Sequence, residues 1–159
     1  MAEYFFDASA IVKYYFAEPG SLWVRQRIDE WDESANAPLN GIYVSDISTV
    51  EVPAAIAVLR RNNRLSKRRR DETVSTFFRD MGARYEVVPV YPATFVRAAL
   101  LTQQHPLKAY DAVQFAVGLA VNEVCQTQDV RLTFVSSDRQ LLTAARAEGL
   151  AVDDPHDHL

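Results

Sequence analysis

The stretch Tyr4-Phe5-Phe6-Asp7-Ala8-Ser9-Ala10 reads as a short strand that stops on an acid. Its aromatic run suits a pleated, buried surface and is too short for a helix of ordinary length. Three other stretches read the same way. Ile42-Tyr43-Val44 follows the turn signals Pro38, Asn40 and Gly41; Glu86-Val87-Val88 lies between Gly82 and Pro89; Leu132-Thr133-Phe134-Val135 ends at Ser136. Helical patterns separate these strands. Val24, Ile28 and Trp31 recur at helical spacing after the capping residue Ser21, and a run from Ser48 toward Asn62 carries Ala55 and Leu59. Val74, Phe77, Phe78 and Met81 form the next stripe, and Phe95, Ala99 and Thr102 follow Pro92. Val113, Val117 and Val121 mark a further helix, and Leu141, Leu142 and Ala145 another, which Gly149 closes. Strands alternating with helices predict an α/β fold with a central, mainly parallel sheet flanked by helices.

Composition sets the outer bounds. The 159 residues suit one domain, with 48% hydrophobic and 24% charged residues placing it among ordinary globular proteins. Lys and Arg number 17 against 21 Asp and Glu, a net charge of −4, which lacks the basic excess usual in nucleic-acid binders. It leaves room for a protein that holds phosphates through metal. Cys125 stands alone, which excludes an intramolecular disulfide and a cysteine zinc cluster. The longest apolar run, Val52 to Leu59, is far too short to span a membrane. Glu3 and Asp7 spoil any signal-peptide pattern, so a cytoplasmic protein is expected. Residues 153–159 are polar and are expected to fray.

Four acids stand out by position. Asp7 ends the first strand, Glu51 opens the third helix, Asp111 opens the helix Tyr110 to Val121, and Asp138 follows the end of the Leu132–Val135 strand. Each has a local explanation. Asp7 and Asp138 suit helix caps, Ser48-Thr49-Val50-Glu51 fits a capping box, and Asp111 complements a helix dipole. Together they say more, because in a parallel sheet every strand end and following helix start faces one edge, where ligands bind. Carboxylates gathered there repel by roughly 4 kcal/mol per close pair at an effective dielectric of 20. Hard divalent cations relieve that repulsion through all-oxygen ligation and serve phosphoryl chemistry.

In this order, Phe6-Asp7-Ala8-Ser9-Ala10, Ser48-Thr49-Val50-Glu51, Leu107-Lys108-Ala109-Tyr110-Asp111-Ala112 and Phe134-Val135-Ser136-Ser137-Asp138-Arg139-Gln140-Leu141 closely resemble the PIN-domain family. Within it they resemble the VapC-like ribonuclease toxins of toxin–antitoxin pairs, from Tyr4 to about Pro155. The resemblance implies a PIN-like fold and an endoribonuclease that uses Mg²⁺, with Mn²⁺ as a substitute. It implies Asp7, Glu51, Asp111 and Asp138 as the catalytic, metal-binding acids, with Ser9 and Ser136 supporting them by hydrogen bonds. It also implies an RNA substrate, pairing into a homodimer, and an antitoxin partner laid in an apolar groove. Two departures accompany it. Pro53 lies inside the opening turns of the third helix, and Asp153-Asp154-Pro155 stands near where the family usually has Asn-Pro.

Seven of the 17 basic residues crowd Arg60 to Arg70, which reads either as solvated helix ends or as a phosphate contact at the rim of the site. Arg68 and Arg69 are the candidates there, with Lys108 and Arg139 closer to the acids. Tyr14, Tyr15, Phe16, Trp23 and Trp31 read as core, and His156 and His158 as tail residues rather than ligands. Three alternatives stand beside the toxin reading. A PIN-fold module that binds RNA or protein without cutting has no need of four acids, and a housekeeping RNA-processing nuclease would have no antitoxin. An aspartate-phosphorylated phosphatase or receiver domain needs a second acid close to Asp7, where Ser9 stands instead.

Overall fold

A computed structural model describes residues 2–158 of the chain. β1 (Ala2–Phe6) buries both Phe5 and Phe6 completely. Consecutive strand residues point to opposite faces, so two neighbouring phenylalanines require a sheet covered on both sides. That is what forms. β4 (Asn40–Ser45), β5 (Glu86–Val88), β6 (Leu132–Val135) and β7 (Ala151–Asp153) join β1 in the order β5-β4-β1-β6-β7, with every pairing parallel. Phe6 packs with Ile11, Val24, Val52, Ile56 and Phe77, from α1 (Ala8–Tyr15), α2 (Ser21–Asp29), α3 (Ser48–Arg61) and α4 (Lys67–Ala83). Phe5 packs on the other face with residues of α5 (Pro92–Gln104), α6 (Ala109–Thr127) and α7 (Arg139–Ala147). There it stacks on Phe134 at 5.3 Å, and Phe115 meets Phe134 edge-on at 5.9 Å. A side chain at Gly118 would sit 2.6 Å from the Phe134 ring, so glycine lets α6 lie close against the sheet.

The order also fixes where a ligand would bind. The chain leaves β1 for β4 on one side and returns later to β6 on the other. The carboxyl ends of the strands part at this switch around β1, the usual crevice of an open α/β sheet. No helix among the described residues is long and apolar enough to cross a membrane.

The four expected strands form, and three features differ from expectation. β7 and a two-residue antiparallel ribbon, β2 (Trp31–Asp32) with β3 (Ala37–Pro38), were not foreseen. Trp31 lies in that ribbon, past the end of α2, and is about half exposed rather than in the core. On α5 the inner face is Ala98 and Leu101, while Phe95 is exposed. The small Ala98 lets α5 approach α6, so the larger Phe95 is turned outward.

The third difference is the tail. The expected fraying of residues 153–159 is not found over 153–158; Leu159 lies outside the described residues. Asp153 ends β7, Asp154 and Pro155 are buried, and Pro155–Asp157 forms a 3₁₀ turn capped by Asp154. The tail's polar groups satisfy one another or α1 and α2. His156 meets Asp154 at 2.9 Å and the buried Lys13 at 3.2 Å, and His158 meets Asp153 at 2.7 Å and stacks on Trp23 at 4.5 Å. Gly20, at φ +85°, lets the backbone of Pro155 lie where a side chain would stand 2.3 Å from its oxygen. Polar composition suggested solvation, but here these polar groups find partners within the fold.

Candidate active site at the carboxyl edge of the sheet

Asp7 leaves β1 with its N–H bonded to the Val135 carbonyl at 3.0 Å, which places it between β1 and β6. Its carboxylate is buried and accepts three hydrogen bonds. Oδ1 accepts from the Ala10 N–H at 2.8 Å and the Ser9 hydroxyl at 2.7 Å, and Oδ2 accepts from the Ser136 hydroxyl at 2.6 Å. The same hydroxyls tie the next loop down, since Ser137 N–H donates to Ser9 and Asp138 N–H to Ser136. Despite these bonds, burial pushes the Asp7 carboxyl up to about 7, and the nearby Glu51 charge adds to the rise.

Glu51 projects from the first turn of α3. The expected capping box does not form there, because Ile47 is the cap residue and makes no side-chain bond. Glu51 Oε2 instead accepts from the Gln114 amide at 2.6 Å. Burial raises its pKa, the Gln114 bond opposes the rise, and the Asp111 charge adds to it. Pro53 removes one amide donor, yet α3 continues through it. Asp111, in the first turn of α6, is likewise raised, first by burial and then by Asp138, while Lys108 opposes the shift. Asp138 caps α7, accepting from the N–H groups of Gln140 and Leu141.

Three of the local explanations therefore hold in part: Asp7 and Asp138 do cap helices, and Asp111 lies in the first turn of α6. Capping does not explain why the charge of Glu51 raises Asp7, that of Asp111 raises Glu51, and that of Asp138 raises Asp111. Among the described residues no three His, Cys, Asp or Glu side chains come close enough to hold a metal ion as they stand. The all-oxygen donor set and its unrelieved repulsion suit a hard divalent cation, which would have to draw the carboxylates together.

The basic candidates divide. Arg139 is adjacent to Asp138, largely exposed, and 3.8 Å from Asp154; Lys108 precedes α6. Arg68 and Arg69 open α4, beyond the far end of α3, whose Arg60 lies roughly 14 Å along the helix from Glu51. Arg68 pairs with Glu72 at 2.7 Å, and Arg64 covers the Phe16 ring at 4.8 Å. The structure does not bring this run to the acids.

Gln114 was not singled out in the sequence. Its signal was a lone amide one helical turn after Asp111, within an otherwise apolar stretch of α6.

With this geometry described, comparison with known proteins adds the following. The family model of the PIN domain matches residues 4–147. No curated protein matches the chain in sequence. The fold is similar to VapBC2 from Rickettsia felis bound to a DNA fragment from its promoter, at TM-score 0.61 and 15% identity over 96% of this chain and 98% of that one. It is similar to VapC20 from Mycobacterium tuberculosis, a toxin that cleaves the sarcin–ricin loop, at TM-score 0.58 and 14% identity over 93% and 96%. PAE2754 from Pyrobaculum aerophilum is similar at TM-score 0.59 and 16% identity over 98% and 91%.

Proposed function

We propose that this chain, which belongs to the PIN-domain family, is a cytoplasmic Mg²⁺-dependent endoribonuclease of the VapC type, restrained by an antitoxin. The observation that carries the reading is the set of four acids linked by their charges, three of them with raised pKa values. A bound Mg²⁺ or Mn²⁺ would neutralise these acids, acidify a water and stabilise the leaving oxygen of a phosphodiester. Asp7, Glu51, Asp111 and Asp138 would hold it. Ser9 and Ser136 fix both oxygens of Asp7, and the start of α7 fixes one oxygen of Asp138. Lys108 and Arg139 stand where they can meet RNA phosphates beside the acids.

The surface supports the partners. Val12, Phe16, Ala55, Val58 and Leu59, with Glu18 as the one charged member, line a largely apolar cleft of about 320 Å³ between α1 and α3, suited to an amphipathic antitoxin helix. Phe95, Val96 and Leu100 on α5 are each more than half exposed and offer a second copy of the chain an apolar face. Two of the similar structures bear the names of toxin–antitoxin proteins.

Expression tests the toxin role. The chain alone should slow growth of its host, Asp111→Asn should not, and co-expression with the antitoxin should restore growth and yield a stable complex. Equal, harmless growth with both forms overturns it. Purified chain that binds RNA in Mg²⁺ without cutting it is the mark of a non-catalytic module.

Salt dependence of RNA binding tests the basic residues. Neutralising Lys108 and Arg139, or Arg68 and Arg69, should flatten the slope by about 0.7 for each phosphate ion pair removed on single strands. An unchanged slope for either pair of residues makes that pair solvated surface.

A further inference from the structure

Gln114 is fully buried in α6, where its neighbours Ala112, Val113, Phe115, Ala116 and Val117 are apolar and also buried. Its amide nitrogen has two hydrogens and two acceptors: Glu51 Oε2 at 2.6 Å and Ser48 Oγ at 3.0 Å. Its amide oxygen is buried with no hydrogen-bond partner. Shutting a carbonyl oxygen away from water without a donor is unfavourable, and a leucine would occupy similar space without that penalty. Packing therefore does not account for a glutamine here. What the amide supplies, and leucine lacks, is a donor aimed at Glu51.

Once ionised, as a metal ligand must be, Glu51 also dictates which way the amide lies. Turned over, its oxygen would face a carboxylate oxygen at hydrogen-bond distance, two acceptors with no proton between them. Ser48 braces the same nitrogen from one turn earlier on α3, so the amide is held between two points of that helix. Asp111 lies one turn back on α6 from Gln114 and repels Glu51. A donor at Gln114 offsets part of that repulsion and keeps Glu51 turned toward α6.

We propose that Gln114, braced by Ser48, is a positioning residue that commits one oxygen of Glu51 and leaves the other to a divalent cation shared with Asp111. This rests on the metal-dependent reading above. Partners behind a metal ligand commonly set affinity by 10–100-fold, a gain that offsets the cost of leaving the amide oxygen unpaired.

The test is Mn²⁺ binding to the intact, metal-free chain by calorimetry, together with melting in EDTA and in millimolar Mn²⁺. Gln114→Leu should stay folded in EDTA, since losing the unpaired oxygen offsets losing the bonds to Glu51 and Ser48. It should bind Mn²⁺ at least about ten-fold more weakly and lose much of the Mn²⁺-induced rise in melting temperature. A glutamine that only packs predicts wild-type Mn²⁺ affinity in the folded variant, whatever its melting temperature, and that result overturns the proposal. If Gln114→Leu fails to fold, Ser48→Ala decides: a weaker Mn²⁺ affinity in a folded protein supports the brace, and an unchanged one overturns it. Wild type that takes up no Mn²⁺ removes the metal reading itself. Wild type that binds Mn²⁺ only as tightly as both variants removes just the role of Gln114.

Discussion

Asp7→Asn should cut RNA at least about a hundredfold more slowly than wild type in Mg²⁺, and EDTA should abolish cleavage by wild type. The size follows from what the metal does. Its stabilisation of charge in the transition state amounts to several kcal/mol, and each 1.36 kcal/mol is a factor of ten in rate. Asp7 immediately follows the central strand, at the point where both flanking strands end, so losing its charge weakens the cation's hold. The helix need not suffer, because asparagine caps about as well as aspartate and Oδ1 can still accept from Ala10 and Ser9. Circular dichroism of the variant separates lost chemistry from lost fold. Ser136→Ala should do less, about ten-fold, since it removes a bond to Asp7 and not the carboxylate. Undiminished cleavage by a folded Asp7→Asn protein, or in EDTA, rules out the metal mechanism.

How far the sequence reaches differs from element to element. β1 was legible because a central parallel strand, buried on both faces, must be apolar at consecutive positions, as Phe5 and Phe6 are. β7 was not, because Ala-Val-Asp has no strand pattern of its own and depends on β6 for its partner. The face of α5 was misjudged because exposure there is set by how closely α6 approaches, which favours Ala98 over Phe95. The acids were legible singly, since strand ends and helix starts share an edge in this topology. Their order was not. That Asp7 comes near Glu51 follows from β1 pairing with β4, and that Glu51 meets α6 follows from the packing of α3 against it, long-range relations that no local pattern states. Gln114 escaped for the same reason. Its meaning lies in Ser48 and Glu51, which are distant in sequence and on another helix.

The same substitution that destroys activity should stabilise the metal-free fold, and by an amount that depends on pH. Asp7 has an ordinary carboxyl pKa near 4 in the unfolded chain and about 7 in the folded one. Below pH 4 both states hold the proton and Asp7 has no effect on the pH dependence. Between pH 4 and 7 the unfolded chain releases it first, so folding must retain a proton that solution would take, and stability falls as pH rises. Above 7 the loss levels off at about 4 kcal/mol, the size of a three-unit shift at full burial. Glu51 and Asp111, also raised, act in the same direction. Asn cannot ionise, so urea melts in EDTA should show Asp7→Asn gaining on wild type from pH 4.5 to pH 8. Mg²⁺ should then narrow the gap, since wild type gains about 2.7 kcal/mol at a hundredfold excess over its dissociation constant while the variant gains little. If Asp7 were only a helix cap, asparagine would serve as well at every pH, and a wild-type-to-variant difference that is flat from pH 4.5 to 8 and indifferent to Mg²⁺ would establish that role.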